Sequence, residues 1–156
     1  MSDNGHNGNG DGSGLAWIRT RHEQLSADRT VDKPIPGYGG RIVLRFGPVP
    51  WANVARAQTL ASRADRDGAS ALQANMDVLI AACREVLVDG ESPDPEGEPV
   101  RVDARLAELL GSDTTTARAT LRWLFPHEIA ISVMAGEILE WTQSANADLN
   151  EELVGE

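Results

Sequence analysis

The sequence predicts a mainly α fold: a compact bundle of about five to six helices with one short β-strand or small hairpin, a disordered Gly/Asn-rich N-terminus and an acidic C-terminal tail. Three observations point there. Apolar residues recur at helical steps of three and four through much of residues 50–143. The strict alternation of a half-buried strand is confined to RIVLRF, residues 41–46. Proline and glycine gather in short clusters that cut the helical pattern into segments. The chain of 156 residues, 41% hydrophobic, has the length and apolar content of a single core. It divides into a disordered tail (1–14), a short amphipathic helix with a Pro/Gly-rich lead-in (15–40), a helical domain (41–143) and an acidic flexible tail (144–156).

Residues 1–14 are mostly Gly, Asn and other polar types, which bury too little surface to offset chain entropy. Leu15, Ile18 and Leu25 then share one helical face, with Ser13 as the cap. TVDKPIPGYGG stops that helix and reads as a linker. In RIVLRF, Ile42, Leu44 and Phe46 face one way, and the flanking glycines and prolines favour a short edge strand.

Pro50 suits a first helical position, so WANVARAQTLASRAD forms the next helix, ending at the Asp67-Gly68 turn. After Ser70, Leu72, Met76, Leu79, Cys83 and Val86 recur by fours and threes, with Ile80 and Leu87 widening the face of a central helix. VDGESPDPEGEP is a solvated acidic turn, and VLV and VRV on its two sides can pair as a hairpin. Asp103 caps a short helix with Leu106, Leu109 and Leu110, which Gly111 ends. Ser112 or Asp113 caps the next, with Ala117, Leu121 and Leu124. Phe125 precedes Pro126 and must leave the helical region, so the chain turns before a last helix over 127–143.

Composition excludes several classes of function. A net charge of −10 repels nucleic-acid backbones and anionic lipid heads. No stretch reaches the roughly 20 apolar residues of a membrane span, and the polar N-terminus resembles neither a signal peptide nor an anchor. The single cysteine, Cys83, lies in the apolar run VLIAAC and reads as a buried, inert thiol in a reducing cytoplasm.

LRWLFPHEIAI contains His127 and Glu128, the opening of a helical H-E-x-x-H zinc site, but the position of the second histidine is Ile131. A helix start accounts for the same residues, with Pro126 at the first position and Glu128 complementing the helix dipole. PGYGGRI lacks the spacing of a phosphate loop and leads into a strand, and the acidic turn lacks the ligand spacing of a calcium loop. No histidine stands in a nucleophile context. The expectation is a non-enzyme with no catalytic residues, cofactor or metal.

The last helix carries two apolar stripes. Ile131, Met134, Ala135, Ile138 and Trp141 form one, and Ile129, Val133 and Gly136 form another on nearly the opposite side. Either the helix is buried centrally in its own fold, or one face packs on the core and the other is offered to another chain. Of the four tryptophans, Trp51 and Trp123 are assigned to the core, while Trp141, beside the acidic tail, suits packing and partner contact equally. The candidate partner surface comprises Trp51, Ile129, Val133, Gly136 and Trp141.

A Pro-rich lead-in, a strand, VPWANVARA, DVLIAACREVLV, an acidic turn, VDARLAELLG, TARATLRWLF and AGEILEWTQSA occur in that order before an acidic end. Over roughly residues 31–156 this order resembles the tail assembly chaperones of long-tailed bacteriophages. The resemblance implies a helical, non-enzymatic protein of the host bacterial cytoplasm that binds the tape measure protein during tail assembly and is absent from the finished virion. It implies the tail tube protein and a second copy of the chain as secondary partners, and a longer frameshifted form made near the end of this reading frame. The alternative expectation is a structural connector or minor tail component that stays in the virion.

Overall fold

The structure is a computed structural model and describes residues 8–61 and 68–154. Two compact units divide it, Met1–Thr30 and Val31–Glu156.

The first unit holds helix α1, Gly8–Asp28. It starts seven residues earlier than the expected helix, so Ser13 lies inside it and caps nothing; residues 1–7, including His6, fall outside the described residues. Leu15, Trp17 and Ile18 are all exposed, because a lone helix has nothing within its own unit to bury them against.

The second unit runs β1 (Val31–Pro34), β2 (Ile42–Phe46), α2 (Trp51–Ala61), α3 (Gly68–Ala82), β3 (Cys83–Val88), α4 (Ala104–Leu110), α5 (Ala117–Leu124) and α6 (Glu128–Val154). The protein is therefore mainly α with a small antiparallel sheet of three strands in the order β1-β2-β3.

RIVLRF is a strand with the expected alternation, Leu44 and Phe46 being fully buried, but it is the middle strand and not an edge. The lead-in supplies its first neighbour. Val31 pairs with Phe46 and Lys33 with Leu44, and the PGYGG segment is the turn between the strands, with Gly37, Gly39 and Gly40 at positive φ. Proline is tolerated in β1 because of its phase. The Ile35 amide donates inward to the Ile42 carbonyl (3.0 Å). By alternation the nitrogen of Pro34 points outward, where no ladder bond is lost.

The second neighbour replaces the end of the expected central helix. α3 stops at Ala82, and Cys83 and Val86 belong to β3. Carbonyls at the end of α3 are satisfied from outside: the Arg101 guanidinium donates to Ile80 (3.2 Å) and to Cys83 at the start of β3 (2.9 Å), and the Gly47 amide donates to Ala82 (2.9 Å). Leu44 pairs with Val86 and Phe46 with Cys83, with an irregularity that leaves Arg84 without a ladder partner and its side chain against Gly47. The VRV run is not one of the strands; the Val86 amide of VLV donates to the Val100 carbonyl (2.7 Å).

α4 has its expected ends: the Asp103 carboxylate accepts from the Leu106 amide (3.1 Å), and Gly111 closes the helix at φ 70°. The cap of α5 is Thr116, whose hydroxyl accepts from the Ala119 amide (3.1 Å), and not Ser112 or Asp113. Ser112 instead accepts from the Thr114 amide in the connecting turn (3.2 Å). Phe125 is extended (φ −82°, ψ 139°), as its position before Pro126 requires. α6 continues to Val154, past the expected end at 143, because residues 144–154 hold Ala, Leu and Glu and no glycine or proline to stop it.

One core joins these elements. Leu44 and Phe46 from the sheet, Leu79 from α3, Leu106 from α4, Leu121 and Leu124 from α5 and Ile131 and Ile138 from α6 are all buried in it. α3 packs against α2, α5 and α6. Thr142 is buried in α6, where its hydroxyl donates to the Ile138 carbonyl (2.8 Å) and accepts from the Val49 amide (3.0 Å), tying the segment before α2 to the last helix.

Candidate functional site

At about 100° per residue, the stripe of α6 containing Ile131, Met134, Ala135 and Ile138 must face the core, and all four residues are buried. Ile129 and Val133 then stand on the far side, 74% and 55% exposed, so α6 is not buried all round. They are not isolated. With the first half of α3 and the outer side of α5 they line an open groove of ≈ 1000 Å³. Ala69, Ala71, Leu72, Met76 and Ala119 supply its other apolar lining, and Asn75 reaches the Ser132 hydroxyl within it (3.2 Å).

Charged groups at the groove neutralise one another. Arg118 grips Asp77 with two hydrogen bonds (Nε–Oδ1 2.8 Å, Nη2–Oδ2 2.7 Å), and Arg56 of α2 reaches the same carboxylate (2.9 Å). The hydrogen bonds from Arg118 hold the Asp77 carboxyl below the usual carboxylate range, against a desolvation that pushes the other way. Arg122 in the last turn of α5 donates to Glu128 in the first turn of α6 (2.6 Å). Glu128 thus links two helices, while His127 beside it is exposed. Among the described residues, no group of three or more His, Cys, Asp or Glu side chains is placed to hold a metal ion. Cys83 is buried, and desolvation pushes its thiol up to about 12, which keeps it protonated at neutral pH.

The five candidate partner residues divide. Ile129 and Val133 come together in the groove, and Gly136 continues their line as an exposed position one turn further along α6. Trp141 is half-buried. Trp51 is elsewhere: it is 75% exposed and borders a smaller recess of ≈ 190 Å³ with Val49, Val54 and Thr142. Its assignment to the core, and that of Trp123, which is 49% exposed, are both corrected. α2 buries Val54 and α5 buries Leu121 and Leu124; at about 100° per residue Trp51 stands roughly 60° round α2 from Val54, and Trp123 roughly 100° and 160° round α5 from Leu124 and Leu121.

Arg118, Ala119 and Arg122 were not expected at the site. The steps of four that placed Leu72 and Met76 on one helix face carry no information about which neighbouring helix is splayed away from it.

The fold and the groove define a small, mainly α protein with a three-stranded antiparallel sheet and an open interhelical groove. Comparison of the chain with protein-family models, with curated proteins and with solved structures finds no match. No helix among the described residues is long and apolar enough to cross a membrane.

Proposed function

We propose that this chain is a non-enzymatic tail assembly chaperone of a long-tailed bacteriophage. In this reading it holds a helical segment of the tape measure protein in the host bacterial cytoplasm until the tail is built. The observation that carries the reading is the pair Ile129 and Val133, exposed on α6 and lining a groove with Leu72 and Met76. A groove walled by helices and lined with apolar side chains is how one protein receives the apolar face of another protein's helix. The order of sequence segments that resembles the phage chaperones supplies the identity of the client.

Co-expression with the tape measure protein of the same phage should give a soluble complex. Ile129→Asp and Val133→Asp, at exposed positions, should each change stability by no more than about 0.5 kcal/mol and abolish the complex. A complex that survives both substitutions places the client elsewhere. Mass spectrometry of purified virions separates this reading from that of a connector or minor tail component, which requires the chain in the particle.

A further inference from the structure

The groove continues into a longer track along α6. At about 100° per residue, Ile129, Val133, Gly136 and Glu140 fall within roughly 60° of one another on the helix surface. All four are exposed, and nothing lies within 4 Å of where a Cβ on Gly136 would stand, so a partner can approach the helix backbone there. The track is therefore apolar at the groove, open at Gly136 and acidic beyond it.

Arg118 and Arg122 are already paired with Asp77 and Glu128, and Glu137 is paired with Lys33 (2.9 Å). Glu140 is in no ion pair among the described residues. Over Glu128–Val154 the sequence places six acids, Glu128, Glu137, Glu140, Asp148, Glu151 and Glu152, and no Lys or Arg, on a chain whose net charge is −10.

From this juxtaposition of an apolar groove and, beyond it on the same face of α6, an exposed Glu140 outside any described ion pair, on a chain of net charge −10, we infer that the occupant is a basic amphipathic helix. The inference rests on the reading of the groove as a helix-docking site, but not on which protein supplies the helix. A helix about 10 Å across fills ~80 Å² in section, so the groove seats about two of its turns. Apolar residues spaced i, i+3 or i+4, and i+7 occupy those turns against Leu72, Met76, Ile129 and Val133. Lys or Arg on the same face, one to two turns further on, lie over Glu140. The apolar turns supply the affinity, and the cations choose the partner and its direction along α6.

The test uses the full chain and three labelled peptides: a helical peptide with this apolar spacing followed by lysines, the same peptide with glutamates in place of the lysines, and a scrambled lysine peptide. Fluorescence anisotropy at about 50 and 300 mM salt should show the ordered lysine peptide binding about tenfold or more tighter than either of the others, with its advantage over the glutamate peptide shrinking in high salt. Val133→Asp should remove binding, and Glu140→Lys should erase most of the preference for lysine over glutamate. Equal binding of the ordered lysine and glutamate peptides overturns the charge assignment. Equal binding of the scrambled peptide, or binding indifferent to Val133→Asp, overturns the docking track. Light scattering that shows a dimer converted to a monomer by Val133→Asp makes a second copy the occupant and also overturns the inference. If the lysine peptide binds as stated and the tape measure protein does not, the chaperone reading falls and this inference stands. If the tape measure protein binds through Val133 without the charge preference, the reverse holds.

Discussion

At the scale of single residues, Asp77 does the most with the least surface. One carboxylate on α3, only 19% exposed, receives Arg118 from α5 and Arg56 from α2, so three helices meet at two oxygens. Asp77→Asn should cost about 1 kcal/mol at neutral pH, because both guanidinium groups lose their counter-charge but stay about half exposed to water. The pH dependence has a definite sign. The folded-state pKa is lowered, so the contribution is complete above the ordinary aspartate value of about 4 and is lost as pH falls through the lowered one. Urea midpoints of wild type and Asp77→Asn should converge as the pH drops below about 4. A gap that stays constant down to the acid transition would assign the loss to packing and not to charge. Neither partner of Asp77 is visible from its sequence neighbourhood, since Arg118 is 41 positions away.

The elements differ in how much of them could be read beforehand. Helices bounded by their own chemistry were legible: Asp103 and Gly111 mark α4, and Phe125-Pro126 separates α5 from α6. The sheet was legible in its middle strand and in the VLV run of β3, which pairs with β2 and not with VRV. The first half of β3 hid because Cys83 and Val86 continue the spacing of Leu72, Met76 and Leu79, and the bulge opposite Arg45–Phe46 spoils the alternation that would have marked a strand. β1 hid behind Pro34, although Val31, Lys33 and Ile35 do alternate with exposed residues and a glycine-rich turn follows them. The two stripes of α6 were fully written in its sequence, yet the groove beside one of them depends on where α3 and α5 lie. α6 also yields a prediction of its own. Gly136 is a helix-interior glycine with open space above it, so Gly136→Ala should stabilise the protein by about 0.5–1 kcal/mol, seen as a higher thermal midpoint.

On the scale of the whole molecule, all of the buried hydrophobic residues named above belong to Val31–Glu156, and so do both ends of every cross-element tie described, from the Tyr38 hydroxyl on the Leu124 carbonyl (2.6 Å) to Thr142 and Val49. A chain of residues 31–156 should therefore fold on its own, with a single cooperative melting transition in the far ultraviolet. Loss of that cooperative transition would show that the core needs more than this unit.

The phase of Pro34 reaches further than β1. On one margin of the sheet the outward nitrogen carries no hydrogen to offer, and on the other the Val86 and Val88 amides are already taken by Val100 and Glu91. Sheets with open margins recruit further strands and lengthen into fibrils. Here that route of growth is blunted at Pro34 on one side and at Val86 and Val88 on the other.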